Sequence, residues 1–366
     1  MEFTDSADQA DLRSAVRAFT RRHATPQQVR AAMAAPAGYD PTTWERLATE
    51  LGLTALAVPE CFGGAGAGAG EVAVAVEEFG RVLLPSPYLS SAVAALVLAR
   101  AATECPDAAG RYLPGLADGS VIGALALDAG VTADGGTADG GTLTGVARNV
   151  VDGAAAGLLL VRAGDQLFAV AATDAAVEPL ETMDQTRRQA CIRLHHAAAM
   201  PAGSAAAAVA LYRCLLAAEC AAAAEHCLDV TVDYLKTRHQ FGRPIGSFQA
   251  LRHRAADLAV AVSAAKATAR AAVWAVAMNT GATNTDASNT AAVTTLAPLA
   301  ALHCSRTFLQ VAGEMIQLHG GIGFTWEHEA HLYFKRAKST QLLLGPVSAL
   351  RAEIGREAGL VRPSSP

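Results

Sequence analysis

Two short breaks between long apolar helical patterns carry the residues of this 366-residue chain whose types and spacing suit chemistry. The first is Arg238-His-Gln-Phe-Gly-Arg-Pro-Ile-Gly-Ser-Phe-Gln249, and the second is Gln317-Leu-His-Gly-Gly-Ile-Gly-Phe324. Both offer hydrogen-bond donors among small residues, as a phosphate-bearing cofactor requires. A dinucleotide pyrophosphate needs a fixed guanidinium, because arginine's planar fork meets oxygens in two places and never loses its charge. Arg238 is the candidate. Phe241 lies against an adenine or packs its own loop, and Gly242 lets the backbone turn ahead of Pro244. Gln240, Phe248 and Gln249 complete this half of the candidate cofactor-binding set. In the second break, Gly320 and Gly321 permit close backbone approach, and the Gln317 amide can hold an adenosine or ribitol edge. Leu318 and His319 belong to the same stretch. His328 and His331 further on lack a carboxylate-supported ligand set, so no metal is expected.

Helices must position these loops. Residues 6 to about 115 read as helical, with Leu12, Val16 and Phe19 at helical spacing and Asp40-Pro-Thr-Thr opening a helix through Leu51. Gly63 to Gly70 is expected to be a flexible connection, followed by a helix over Glu71–Val82 that Pro85 and Pro87 end. Between about 118 and 200, short apolar runs (Val121–Leu127, Gly157–Val161, Leu167–Ala172, Ala190–Leu194) separated by Gly, Asp and Thr predict a small β-barrel or sandwich. Ala205–Thr237 then predicts a helix of roughly 50 Å. A second is expected over about Phe248–Met278, a polar loop over Asn279–Asn289 and a third helix over about Thr290–His319, together an antiparallel four-helix bundle. The fold class is thus α+β, mainly α. Its units are a helical domain over 1–117, a β domain over 118–204 and a helical bundle over 205–366.

Composition narrows the function. Hydrophobic residues make up 52% of the chain and aromatics 5%, a balance that favours close-packed helices. A formal charge of −5 gives no basic face for nucleic acid. The N-terminus lacks the basic start and apolar core of a secretory signal, and charges interrupt the longest apolar stretches, so no membrane span is expected. The seven cysteines show no CxxC spacing and are expected to be free, buried thiols of a cytoplasmic protein.

The two glycine-containing motifs, at this separation, resemble the flavin-binding C-terminal half of the acyl-CoA dehydrogenase family. Leu-Gly-Leu, Val-Pro-Glu-Cys-Phe-Gly-Gly and Glu77-Glu78-Phe-Gly-Arg81 are similar to the family's N-terminal signatures. The stretch Gly323 to Lys338 most resembles the actinobacterial branch that acts on steroid or other bulky acyl-CoA thioesters. The resemblance covers nearly the whole chain. It implies FAD as hydride acceptor, an acyl-CoA substrate, an acceptor such as electron-transfer flavoprotein, and loops that contact the ADP part of a flavin held mainly by a neighbouring subunit.

Removing an α-proton from a thioester while a hydride leaves the β-carbon requires a nearby carboxylate. At the family's two usual positions this chain has Leu344 and Tyr212, the latter followed by the retained Arg213, a candidate for substrate binding. Glu219, two turns beyond Tyr212, is the remaining candidate base, with a structural role as its alternative. The segments that usually hold the flavin ring correspond to Leu125–Gly130 and Ala147–Asp152, and both depart from the family pattern. The favoured expectation is one subunit of a hetero-oligomer whose second, related chain supplies the base and ring contacts. The alternatives are a homo-oligomeric dehydrogenase using Glu219, a flavin monooxygenase on the same fold, and a non-catalytic structural homologue.

Overall fold

A computed structural model describes residues 4–128, 130–134, 141–278 and 287–360. The N-terminal part holds α1 (Ala7–His23), α2 (Pro26–Ala34), α3 (Pro41–Thr49), α4 (Ala69–Val82), α5 (Tyr88–Ala101) and α6 (Pro106–Ala117). Their starts follow from local chemistry. Ser6 and Thr25 form capping boxes with Gln9 and Gln28, and Asp40 accepts from the Thr42 and Thr43 amides ahead of Pro41. Val16 and Phe19 are buried, with Leu12 packed at the edge of the same core.

The Gly/Ala run is not a loose connection. The amides of Gly64, Ala65, Gly66 and Ala67 donate to the carbonyls of Pro59, Ala55, Val58 and Leu56. A Cβ on Gly64 would sit 2.0 Å from the Val58 carbonyl oxygen. Glycine is there because the loop folds back against its own preceding turn.

The strands are β1 (Gly123–Ala126), β2 (Val131–Asp134), β3 (Gly141–Val151), β4 (Leu158–Ala163), β5 (Gln166–Ala171), β6 (Ala175–Leu180) and β7 (Gln189–Ser204). They form one curled sheet in the order β1-β4-β5-β7-β3-β2, with β6 added on β7. The 16-residue β7 joins the two ends of the sheet, pairing with β3 and β6 over its first part and with β5 at Met200–Ser204. Alternate residues from these strands, among them Val131, Leu143, Leu159, Phe168 and Ile192, fill a second, smaller core.

Then come α7 (Ala205–Thr237), the two-stranded ribbon β8 (His239–Gln240) with β9 (Arg243–Pro244), α8 (Gln249–Met278), α9 (Ala287–His319), α10 (Ala330–Leu343) and α11 (Val347–Glu357). The long helices α7, α8 and α9 pack on one another, with α4 against α7 and with α10 and α11 against α9. The expected loop Asn279–Asn289 lies largely outside the described residues. By length and composition α7 and α8 could each cross a membrane, but 67% of the most apolar α7 window is buried within this protein. Cys220 and Cys227 pack in α7's interior, whereas Cys61 is exposed, contrary to the expectation for buried thiols.

Candidate active site

The two glycine-containing motifs meet at one end of the bundle. Helix α7 delivers Arg238 as its C-terminal cap, and α9 ends at His319. The Tyr234 ring stacks on His319 at 4.4 Å, and its hydroxyl donates to the His319 carbonyl at 3.4 Å, which ties the helix ends together. The ribbon turns through Phe241 and Gly242, both at positive φ (54° and 76°), a pair of left-handed residues typical of a tight hairpin. Phe241 is 91% exposed, and Arg238 and Gln240 are exposed beside it. Arg243 lies over the half-buried Phe248 ring at 4.1 Å, and Gln249 opens α8 in solvent.

Gln317, Gly320 and Gly321 are exposed on the second loop, and Gly320 has φ 63°. Leu318 and His319, by contrast, are buried. His319 Nδ1 is 2.7 Å from the Met315 carbonyl, and burial lowers its pKa. These two residues support the loop from beneath and do not face a cofactor from this chain's surface. The outward residues (one guanidinium, two amides, an aromatic ring, a pair of glycines) suit the ADP half of a dinucleotide in a neighbouring chain.

A second site lies far up α7. A cavity of about 380 Å³ opens between the sheet and α7, with Leu344 just past the end of α10. Tyr212 and Leu344, the two positions expected for a base, both line it, and so does Arg213. From the corresponding ring segments, Leu125, Leu127 and Asp128 with Arg148, Asn149 and Val151 form its sheet wall. The structure therefore converges both base positions on one cavity without a base at either. Burial pushes the Tyr212 hydroxyl up to about 12, so it remains protonated at neutral pH. Arg213 pairs with Glu353 of α11 at 2.7 Å.

Glu219 does not line this cavity. It is 6% exposed, on a small inner chamber with Tyr88, Asp152, Arg187 and Arg336. Burial alone would raise its pKa, but Arg187 and Arg336 overcome that and hold the carboxyl below its usual range. Arg187 contacts both Glu219 oxygens, and Arg336 Nη1 donates to Oε1 at 2.9 Å. Arg336 also donates to Asp184 Oδ2 at 2.9 Å and to Thr186. Two acids and two arginines thus form a buried cluster that joins the sheet to α7 and α10. This favours the structural alternative for Glu219. Arg187 and Asp184 carried no motif in the sequence, and Arg336 stood inside the Gly323–Lys338 stretch without an assigned role. Among the described residues, no group of three or more His, Cys, Asp or Glu is arranged to hold a metal.

Comparison with known proteins agrees with this anatomy. The acyl-CoA dehydrogenase N-terminal domain matches residues 6–120, and the acyl-CoA dehydrogenase C-terminal domain matches residues 202–359. The acyl-CoA dehydrogenase IpdE2 of Mycobacterium tuberculosis is 42% identical over 341 residues, covering 93% of this chain and 94% of that one. IpdE2 of Mycolicibacterium smegmatis is 37% identical over 335 residues, covering 92% and 94%. Among solved structures, a variant of the steroid ACAD Tcur3481-Tcur3483 superposes with a TM-score of 0.85 at 33% identity, over 96% of this chain and 98% of that one. The ChsE4-ChsE5 complex from Mycobacterium tuberculosis superposes at 0.86 and 29% identity, over 99% and 100%. With the helical–sheet–helical order, both loops and the cavity all in place, the chain belongs to the acyl-CoA dehydrogenase family.

Proposed function

We propose that this chain is one subunit of a hetero-oligomeric, FAD-dependent acyl-CoA dehydrogenase whose second, related chain carries the carboxylate that removes the α-proton. The observation that carries this reading is a distance along one helix. Arg238 follows Tyr212 by 26 residues of α7, roughly 39 Å at 1.5 Å per residue. One dinucleotide cannot reach from this chain's cavity to its own Arg238 loop, so the loop serves a neighbour's cofactor. The cavity itself has leucine and tyrosine where a base belongs, which supports assigning the base to that neighbour.

In this arrangement FAD, when bound, supplies the acceptor for the β-hydride. The work of this chain is binding. Arg238 balances pyrophosphate charge, the exposed Gln240 and Gln317 amides hold polar edges, Phe241 covers an aromatic face, and Gly320 and Gly321 let the backbone come close. Arg213, retained beside Tyr212, stays in this chain's own cavity, paired with Glu353. The likeness to a steroid ACAD supports a bulky, steroid-like acyl thioester as the substrate class.

The test is co-expression. Made alone, the chain should be colourless or poorly soluble. Made with a related chain that carries the base, it should give a yellow complex bleached by acyl-CoA. A flavin-saturated homo-oligomer of this chain that oxidises acyl-CoA would overturn the proposal.

A further inference from the structure

Three rings from three elements meet at the base of the second loop. Tyr234, near the end of α7, stacks on His319 at the end of α9, and His319 meets His328, just ahead of α10, with ring centroids 4.4 Å apart at each contact. Hydrogen bonds fix opposite tautomers on the two imidazoles. His319 Nδ1 donates to the Met315 carbonyl at 2.7 Å, whereas His328 Nδ1 accepts the amide of Ala330, the first residue of α10, at 3.0 Å. A ring nitrogen accepts only through its lone pair, and both nitrogens of an imidazolium are donors. The bond to α10 therefore exists only while His328 is neutral.

The charges around His328 disfavour its protonation. Arg30 of α2 donates to the His328 carbonyl at 3.2 Å, and His331 follows on the first turn of α10. Lys335 lies a turn further on, over the Trp326 ring. The opposing carboxylate, Glu329, is 3.4 Å from His226 of α7. Burial, with Arg30 adding to it and Glu329 opposing, holds His328 below the ordinary imidazole pKa.

We propose that His328 is a positioning residue for the loop Gln317–Gly321: the neutral ring caps α10 and braces His319, and protonation gives up both contacts. This rests on the reading of that loop as a cofactor contact. A group with a depressed folded pKa contributes stability above its unfolded value, about 6.5 here, and loses it as pH falls through the folded one. Mild acid should therefore loosen the loop.

Amide hydrogen exchange on the purified assembly, expressed as protection factors, tests this at about pH 7.5 and about pH 5.5, either side of the unfolded value. His328→Asn supplies a side-chain oxygen that accepts a helix N-terminal amide and does not titrate. His328→Ala supplies neither cap nor ring. At the higher pH the alanine variant should be the least protected over residues 317–332. On acidification the wild type should lose about fivefold or more protection relative to His328→Asn and approach His328→Ala. His319 and His331 titrate in all three proteins, so only the difference between wild type and the asparagine variant is read. No such difference, or full protection in His328→Ala at the higher pH, would overturn the role of His328. Flavin retained after gel filtration at the same pH values should follow the protection. Protection that changes while flavin retention stays constant would keep the ring stack and remove the loop from the cofactor site.

Discussion

A carboxylate clamped between two guanidiniums makes a weak proton acceptor, because both partners stabilise its charged form. That is the situation of Glu219 beside Arg187 and Arg336. Glu219→Gln leaves two buried arginines under-compensated, which should cost about 3–5 kcal/mol of stability. Turnover of the assembled enzyme should fall severalfold at most, whereas loss of a true base would cost about 10²–10⁴-fold. The pH dependence has a definite sign. A depressed carboxyl contributes stability above the unfolded value near 4.3, and that stability is lost as pH falls through the folded pKa. The deficit of Glu219→Gln in urea unfolding should therefore shrink on acidification. Asp152 runs the other way. Burial raises it to about 6, partly opposed by the Ser90 hydroxyl that donates to it at 2.6 Å. The stability tied to its protonated form is present below the unfolded value near 3.9 and lost as pH rises through about 6. Asp152 sits at φ 57°, which asparagine tolerates. Asp152→Asn should thus gain on the wild type at pH 7.5 and lose that gain near pH 4; an offset independent of pH would contradict the assignment.

Between elements, the decisive contact is α4 against α7. Gly80 packs where a Cβ would lie 2.7 Å from Glu219 Cγ and 2.8 Å from its carbonyl oxygen. One residue on, Arg81 reaches Glu225 at 2.6 Å and Asp229 at 3.0 Å, while Glu78 receives Arg13 and Arg17 from α1. The Glu-Glu-Phe-Gly-Arg signature is therefore a clamp between helices. Gly80→Ala should push α4 off α7 and cost about 1–3 kcal/mol in denaturant unfolding. It should also disturb the Glu219 cluster, so its effect combined with Glu219→Gln should be less than additive. In the sheet, β1, β4, β5 and the Ala190–Leu194 start of β7 were legible as apolar runs because each is buried along most of its length. Strands β2, β3 and β6 were not. Their Gly, Thr and Ala residues alternate with half-exposed positions and gain strand character only by pairing with β3 or β7.

At the scale of the whole molecule, α7 links two regions. Its first turns line the cavity, and its end carries the Arg238 loop proposed to meet a cofactor. In the complex, Arg238→Ala should weaken flavin retention by about tenfold or more, the equivalent of one charge-assisted contact worth about 1.5–3 kcal/mol. Gel filtration should show the assembly unchanged. Full flavin occupancy in that variant would remove the loop from the cofactor site.

The sequence by itself determined the span of α7 and, within a few residues, those of α4, α8 and α9, since apolar runs and their breaks are local. It also offered the two loops as candidates for phosphate binding, since Arg238, Gln317 and the paired glycines occur together at this separation. Ala205–Thr237 was readable to the residue. Only the tertiary structure decided that Leu318 and His319 face inward, that Tyr212 and Leu344 look into one cavity, and that Glu219 belongs to an ion cluster. Those outcomes depend on partners far along the chain, such as Tyr234 on His319, Arg336 on Glu219 and Leu344 opposite Tyr212. Side-chain direction on a helix is local, but what the side chain meets there is set by packing, and no spacing rule along the chain encodes it.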